Sequence, residues 1–369
     1  MERTYRLPRP PKHTLQPLSL LVAAALAATA LGLAVDRPST TTQSNVSSQG
    51  LAAAELRNVV GPLPLSTMTA RSTTTWHGGS TQAADGDSVL VYVSDAYAGE
   101  PNTPERWANF FAGLVHGTEL SSVSVYVTTP DDLAQTCGPD TVGCFSAGRI
   151  VIPGEPMGTA TSEEIARHEY GHQVALTRSN PPWTAWDWGT KRWATYLGIC
   201  ARAKAGTVFP GNEDWGYRLN PGEGLAESYR ALNESKLGAT TFTWTLVDGS
   251  FYPDETALRL LEKDVLVPWT SPTVTSIRVR FTPTGKNTWS RVVALPLDGT
   301  VEITATTRVP STSEVTLRSA DGTRQLGRAI VVNGRPGKVT YTACGARSVL
   351  VRVVRKTQPG IVTLRITRP

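Results

Sequence analysis

Several residue types are scarce in this chain, and each scarcity narrows the reading. Acidic residues nearly vanish from the last hundred positions. Residues 271–369 hold 4 Asp/Glu against 16 Lys/Arg, a local charge of +12, whereas residues 38–270 hold 25 against 15, or −10. The net +5 of the whole chain therefore hides an acidic part followed by a basic one. Aromatics are also rare in the basic part, where Phe281, Trp289 and Tyr341 stand alone. A basic stretch without interleaved aromatics lacks the stacking platforms of a nucleic-acid reader, so nucleic acid is not an expected partner. No internal repeat recurs, which excludes a solenoid or a propeller. Cysteine is limited to Cys137, Cys144, Cys200 and Cys344, and histidine to 5 positions. Hydrophobic residues, by contrast, make up 40 % of the chain, enough for sizeable cores.

What is present begins with a targeting pattern. Arg3, Arg6, Arg9 and Lys12 precede the apolar run LSLLVAAALAATALGLAV at residues 18–35. Residues 1–35 read as a signal peptide, cleavable after Ala34, or as a retained membrane anchor. An apolar helix of that length reaches ~27 Å against a hydrocarbon core of ~30 Å. In either case the basic flank stays cytoplasmic and the rest is exported, extracellular or anchored facing outside. An even number of cysteines outside the cytoplasm implies two disulfides. Cys137 and Cys144 lie close enough to staple a loop, and by elimination Cys200 would pair with Cys344; two free buried thiols are the alternative. Residues 36–84 read as a polar linker or leader, Ser/Thr-rich at 38–50.

The length of 369 residues favours two folded units, at 85–269 and 271–369. The first opens with the strand DSVLVYVSDAY. A helix follows in TPERWANFFAGLVHG, with Thr103 as cap and Pro104 at its first position, then strands in SSVSVYVTT and FSAGRIVIPGE. Four helices come next. SEEIARHEYGHQVAL carries a Thr161/Glu164 capping box, and residues 186–206 form a second long helix stopped by Gly206. Asn220 and Pro221 start a third and Gly238 stops it, and PDETALRLLEKDVL makes a fourth. After residue 273 about eight short alternating runs, separated by turn residues, read as an antiparallel β-sandwich. The expected class is α+β: a small mixed sheet with helices, then an all-β antiparallel sandwich.

The chemistry concentrates in HEYGH at 168–172. Residues four apart share a helical face, so His168 and His172 can present two imidazoles to one cation, and Glu169 can act as general base. Catalytic zinc takes three protein ligands and leaves one position open. The metzincin continuation is excluded, because Ala175 and Arg178 occupy its Gly and His places. The third ligand is expected in NPGEGLAESY, where Glu223 and Glu227 are again four apart on one face. One can ligate while the other holds a histidine through its second ring nitrogen. Glu223 also occupies the third helical position after Asn220, where a glutamate often caps the turn; if it does only that, Glu227 is the ligand.

HEYGH together with GYRLNPGEGLAESYR resembles the gluzincin metallopeptidases, in particular the anthrax lethal factor-like group with its E-x-x-A-E helix. The resemblance covers residues 161–235. It implies a zincin-like catalytic domain with Zn2+ as cofactor, His168, His172 and Glu223 as ligands, Glu169 as base and Glu227 as support for a histidine. It also implies an oxyanion role for Tyr217, six residues before Glu223; packing of that tyrosine is the alternative. The implied reaction is hydrolysis of a protein or peptide, with AGRIVIPG as the sheet edge that receives it by strand addition. No cysteine precedes Cys137, so latency through a blocking thiolate is not expected.

Rival readings are a zinc amide hydrolase acting on cell-wall material and a non-catalytic scaffold displaying the sandwich. Glu169 argues against the second, since a scaffold has no use for it. The basic sandwich is suited to an anionic cell-envelope polymer or lipid, or to docking on the acidic part with Cys200–Cys344 as lock. Trp186 and Trp193, seven apart, are expected on one helical face filling core. His116 is expected at a helix end, favoured by the dipole, and His77 has no pattern. Oligomeric state is not legible.

Overall fold

The computed structural model describes residues 75–308 and 310–369. The segment at 1–35 and the Ser/Thr-rich stretch at 38–50 lie outside the described residues. The expected α+β class is observed: a small mixed sheet with helices, then two antiparallel sheets.

The first sheet has the order β1-β2-β3-β5-β4, formed by β1 (Trp76–Gln82), β2 (Ser88–Ser94), β3 (Ser124–Thr128), β4 (Cys144–Ser146) and β5 (Arg149–Pro153). β1 lies in the stretch read as linker. Its Gly and Thr pattern hides a strand that is defined by antiparallel pairing with β2. The run FSAGRIVIPGE, expected as one strand, is a hairpin: Ala147 and Gly148 take φ 45 and 87 between β4 and β5. β5 is therefore internal, between β3 and β4, and the sheet edge is β4, not AGRIVIPG. Alternating valines and isoleucines bury one side of this sheet against α1 (Thr103–Ala112), whose Trp107 and Phe111 are fully buried. Burial of such side chains stabilises by ~2–3 kcal/mol each. Asn102, not Thr103, is the N-cap, so Pro104 stands at the second helical position rather than the first, still within the first turn. A further helix, α2 (Pro130–Cys137), was not legible because it is short and polar.

On the same side of the sheet, α3 (Ser162–Thr177) runs through the core with its capping box formed. The long helix expected at 186–206 is instead three short ones: α4 (Ala185–Trp188), α5 (Lys191–Tyr196) and α6 (Ile199–Lys204). The breaks fall at Gly189 and Gly198, which adopt φ 79 and 64, left-handed values that glycine tolerates and a continuous helix does not. A two-residue ladder, β6 (Ser179–Asn180) with β7 (Trp183–Thr184), precedes them. Trp186 and Trp193 consequently belong to different helices. Trp193 is core, as expected; Trp186 is half-buried beside His172. Then α7 (Pro221–Lys236) and α8 (Glu255–Leu266) close the helical layer. The Asp264 carboxylate caps α5 by accepting from the Arg192 and Trp193 amides.

Eight strands follow: β8 (Thr273–Phe281), β9 (Thr288–Ala294), β10 (Gly299–Thr307), β11 (Ser313–Ser319), β12 (Gln325–Val331), β13 (Gly337–Ala343), β14 (Ser348–Arg355) and β15 (Gly360–Arg368). They form two four-stranded sheets, β13-β10-β15-β8 and β12-β11-β14-β9, around a core that includes Ile303, Leu317, Val351 and Leu364. Both expected disulfides are present, Cys137–Cys144 and Cys200–Cys344. The second ties α6 to the sandwich. Beside it the Asp298 amide donates to Thr195 Oγ1 at 3.1 Å, and Arg347 Nη2 donates to the Thr195 carbonyl at 3.1 Å. Among the described residues no salt bridge joins the basic sandwich to the acidic part; its seating at this point is covalent and hydrogen-bonded, with Lys191 attracted at longer range by Asp298 of the sandwich. No described helix is long and apolar enough to cross a membrane.

Candidate metal centre

The centre is built where α3 and α7 cross. Gly171 makes the crossing close: a Cβ there would lie 2.7 Å from Ala226 Cα, so a larger residue must push the helices apart. With the helices in contact, His168, His172 and Glu223 converge, all fully buried. His168 Nε2 lies 3.2 Å from His172 Nε2 and 3.3 Å from Glu223 Oε2, and the third side of the triangle, His172 Nε2 to Glu223 Oε2, is 3.6 Å. Ligand atoms ~2.0–2.2 Å from one tetrahedral ion stand roughly 3.3–3.6 Å apart, so this triangle has the dimensions of one tetrahedral face.

The surroundings fix which atoms face the centre. Glu227 Oε2 lies 3.0 Å from His168 Nδ1 and accepts its proton, leaving Nε2 directed at the triangle. Arg230 in turn grips Glu227 through Nε at 3.0 Å and Nη2 at 2.7 Å, and also reaches Glu234 and the Thr243 carbonyl. Asn220 caps α7 by accepting from the Gly222 amide at 3.1 Å. Glu223, in the first turn, turns its Oε2 towards both histidines, and the helix N-terminus favours its negative charge. Tyr217 donates its hydroxyl to the same Oε2 at 2.7 Å. All six residues expected from the sequence thus meet in one place, with Glu223 on the triangle and Glu227 behind His168.

Electrostatics follow from burial. Burial alone would push the His168 imidazole down, but the Glu223 and Glu227 carboxylates override it and hold it up at about 10. In the metal-free protein a proton thus occupies the place where the carboxylates favour positive charge. His172 is held below its ordinary value, chiefly by burial. Glu223 is kept low despite its burial, because His172 and His168 face it. Glu169 differs: burial and the nearby Glu223 push its carboxyl up to about 8, with His168 opposing, and neither carboxylate oxygen has a hydrogen-bond partner among the described residues.

Three contributors escaped the sequence reading. Phe145 on β4 and Trp186 on α4 pack against the His172 ring, with centroids 6.2 and 5.3 Å away. Arg230 was legible in principle, since it stands three residues after Glu227 on the same helix. The aromatics were not, because only the tertiary fold brings them to the histidine. Next to Glu227 and Arg230 opens a cavity of about 50 Å³, with Val142, Met157, Ile165 and Leu246 among its walls. Val142 precedes the edge strand β4, so this cavity adjoins the sheet edge.

No protein-family model matches the chain, and no curated protein matches it. Among solved structures, the capsular polysaccharide assembling protein CapF from Staphylococcus aureus aligns at 11% identity over 67% of this chain and 74% of that chain. Its TM-score of 0.15 carries no argument about fold or function.

Proposed function

We propose that the chain is a zinc-dependent peptidase of gluzincin type, acting in an oxidising compartment outside the cytoplasm. The observation that carries this reading is the buried His168–His172–Glu223 triangle of 3.2, 3.3 and 3.6 Å, with an unpartnered Glu169 next to it. Two imidazoles and one carboxylate are a donor set typical of catalytic zinc with an open fourth position. His168, His172 and Glu223 would hold the ion, which when bound makes a water more acidic and polarises a carbonyl.

The chain's own groups supply the rest. Glu169 Oε takes a proton from the attacking water as its oxygen adds to the peptide carbonyl carbon. The same carboxyl then delivers that proton to the leaving nitrogen as the C–N bond breaks. A carboxyl raised by burial suits this double role, because it binds the proton readily and releases it again. The Tyr217 hydroxyl donates to Glu223 Oε2 in this structure, and by turning from Glu223 to the substrate it steadies the negative oxygen that develops on the carbonyl. Phe145 and Trp186 keep water from the far side of His172. The substrate lies beside β4, the end strand of the sheet, and the adjoining cavity takes an apolar side chain.

Two measurements test this reading. Purified protein should carry about one zinc per chain and cleave a peptide library in a chelator-sensitive way, favouring apolar residues beside the cut. Glu169→Gln should retain the metal and lose at least about a hundredfold in turnover. Undiminished cleavage by that variant, or cleavage of cell-wall amides but of no peptide, overturns the proposal.

A further inference from the structure

We propose that the outer face of the β13-β10-β15-β8 sheet binds an anionic polysaccharide through Arg278, Arg280 and Arg365. All three side chains are exposed on this face. The register sets Arg365 opposite Ser276 and Arg278 opposite Thr363, so Arg365 and Arg278 are diagonal neighbours, about 7–8 Å apart. Arg280 follows Arg278 on the same face at about 7 Å along the strand.

Three like charges this close repel, and no carboxylate on the sandwich pairs with them. Its 4 carboxylates have other partners: Asp298 has Arg347, Glu302, a diagonal neighbour of Arg365 on this face, has Lys338, Glu314 has Arg328 and Lys356, and Asp321 has Ser319 and Thr323 in its own turn. Exposed arginine on an edge strand can serve merely to block strand pairing, and β8 is an edge. Arg365 lies on β15, one strand inside, where that purpose does not apply. The neighbouring positions on the face include the hydroxyl-bearing Ser276, Thr304, Thr306 and Thr363, with the exposed Ile361 opposite Arg280 and Val274 further along β8. Guanidinium forks matched to carboxylates, set among hydroxyls on a flat rigid face, fit an extended acidic glycan.

The test uses the full chain and immobilised polygalacturonate, with neutral dextran as blank. Retention on polygalacturonate at low salt, falling steeply as salt rises, is expected, with none on dextran. Replacing Arg278, Arg280 and Arg365 by Gln should weaken retention roughly tenfold or more. Replacing Arg291, Arg324 and Arg352, also exposed and elsewhere on the sandwich, removes the same charge and should change it little. Added chelator should leave retention unchanged, which separates this surface from the metal centre. Equal loss in both triple variants, no retention, or tighter retention on anionic phospholipid vesicles or duplex DNA overturns the proposal.

Discussion

Glu169 and Glu227 are both buried carboxylates, yet they stand in opposite situations. Glu227 is held by His168 and Arg230 and kept ionised, whereas Glu169 has no hydrogen-bond partner among the described residues and its pKa is raised. Removing support from the first should therefore act through the metal. Glu227→Ala or Arg230→Met is expected to lower zinc affinity about 10–100-fold, measured by competition with a chelating dye. A pH dependence follows from the two raised groups. His168 at about 10 exceeds the ~6.5 of an unfolded chain, so the stability it contributes is complete below about 6.5 and disappears as pH climbs towards 10. Glu169 at about 8 against ~4.3 unfolded works in the same direction: between those values the unfolded chain gives up a proton that the folded chain keeps. Metal-free protein should melt at a lower temperature at pH 9 than at pH 6. Bound zinc opposes this, because its ligands must be deprotonated and its affinity rises with pH. The gap between melts with and without chelator should thus widen from pH 6 to pH 9. An equal gap at both would count against the metal reading.

At the scale of elements, the centre depends on how close α3 and α7 approach. Gly171→Leu forces a side chain into the space held by Ala226 and Tyr229, and overpacking of this kind costs about 1–3 kcal/mol. Urea unfolding should show that loss, and metal analysis should show zinc below one per chain, since separating the helices opens the triangle. The histidine spacing, the Thr161/Glu164 box and the Asn220 cap were all legible, because each is a local rule about one helix. The breaks at Gly189 and Gly198 were missed for a related reason. The apolar pattern of 186–206 continues across them, and only the packing of Trp193 against Gly189 shows where the chain turns.

At the scale of the whole molecule, Cys200–Cys344 closes a loop spanning 144 residues and anchors the sandwich beside Thr195. Cys200→Ser with Cys344→Ser is expected to cost about 2–5 kcal/mol, read by denaturant unfolding under oxidising conditions. Zinc content should survive the change, because all three proposed ligands lie outside the sandwich. The two disulfides point to an oxidising environment, in keeping with export.

The sequence by itself determined the α+β class, the eight-strand sandwich and the six residues of the candidate centre; it suggested two disulfides, whose pairing the structure decided. These rest on short-range periodicity, helix spacing and cysteine count, which act within an element or over a small set of partners. Tertiary structure alone decided that β4 rather than β5 is the edge, that the helices cross closely enough to bring Glu223 to the histidines and Glu227 behind His168 as the resemblance implied, and that Phe145 and Trp186 pack on His172. Each of those outcomes depends on strand order or on a close helix crossing. Both are contacts between residues distant in sequence, where local periodicity carries no information.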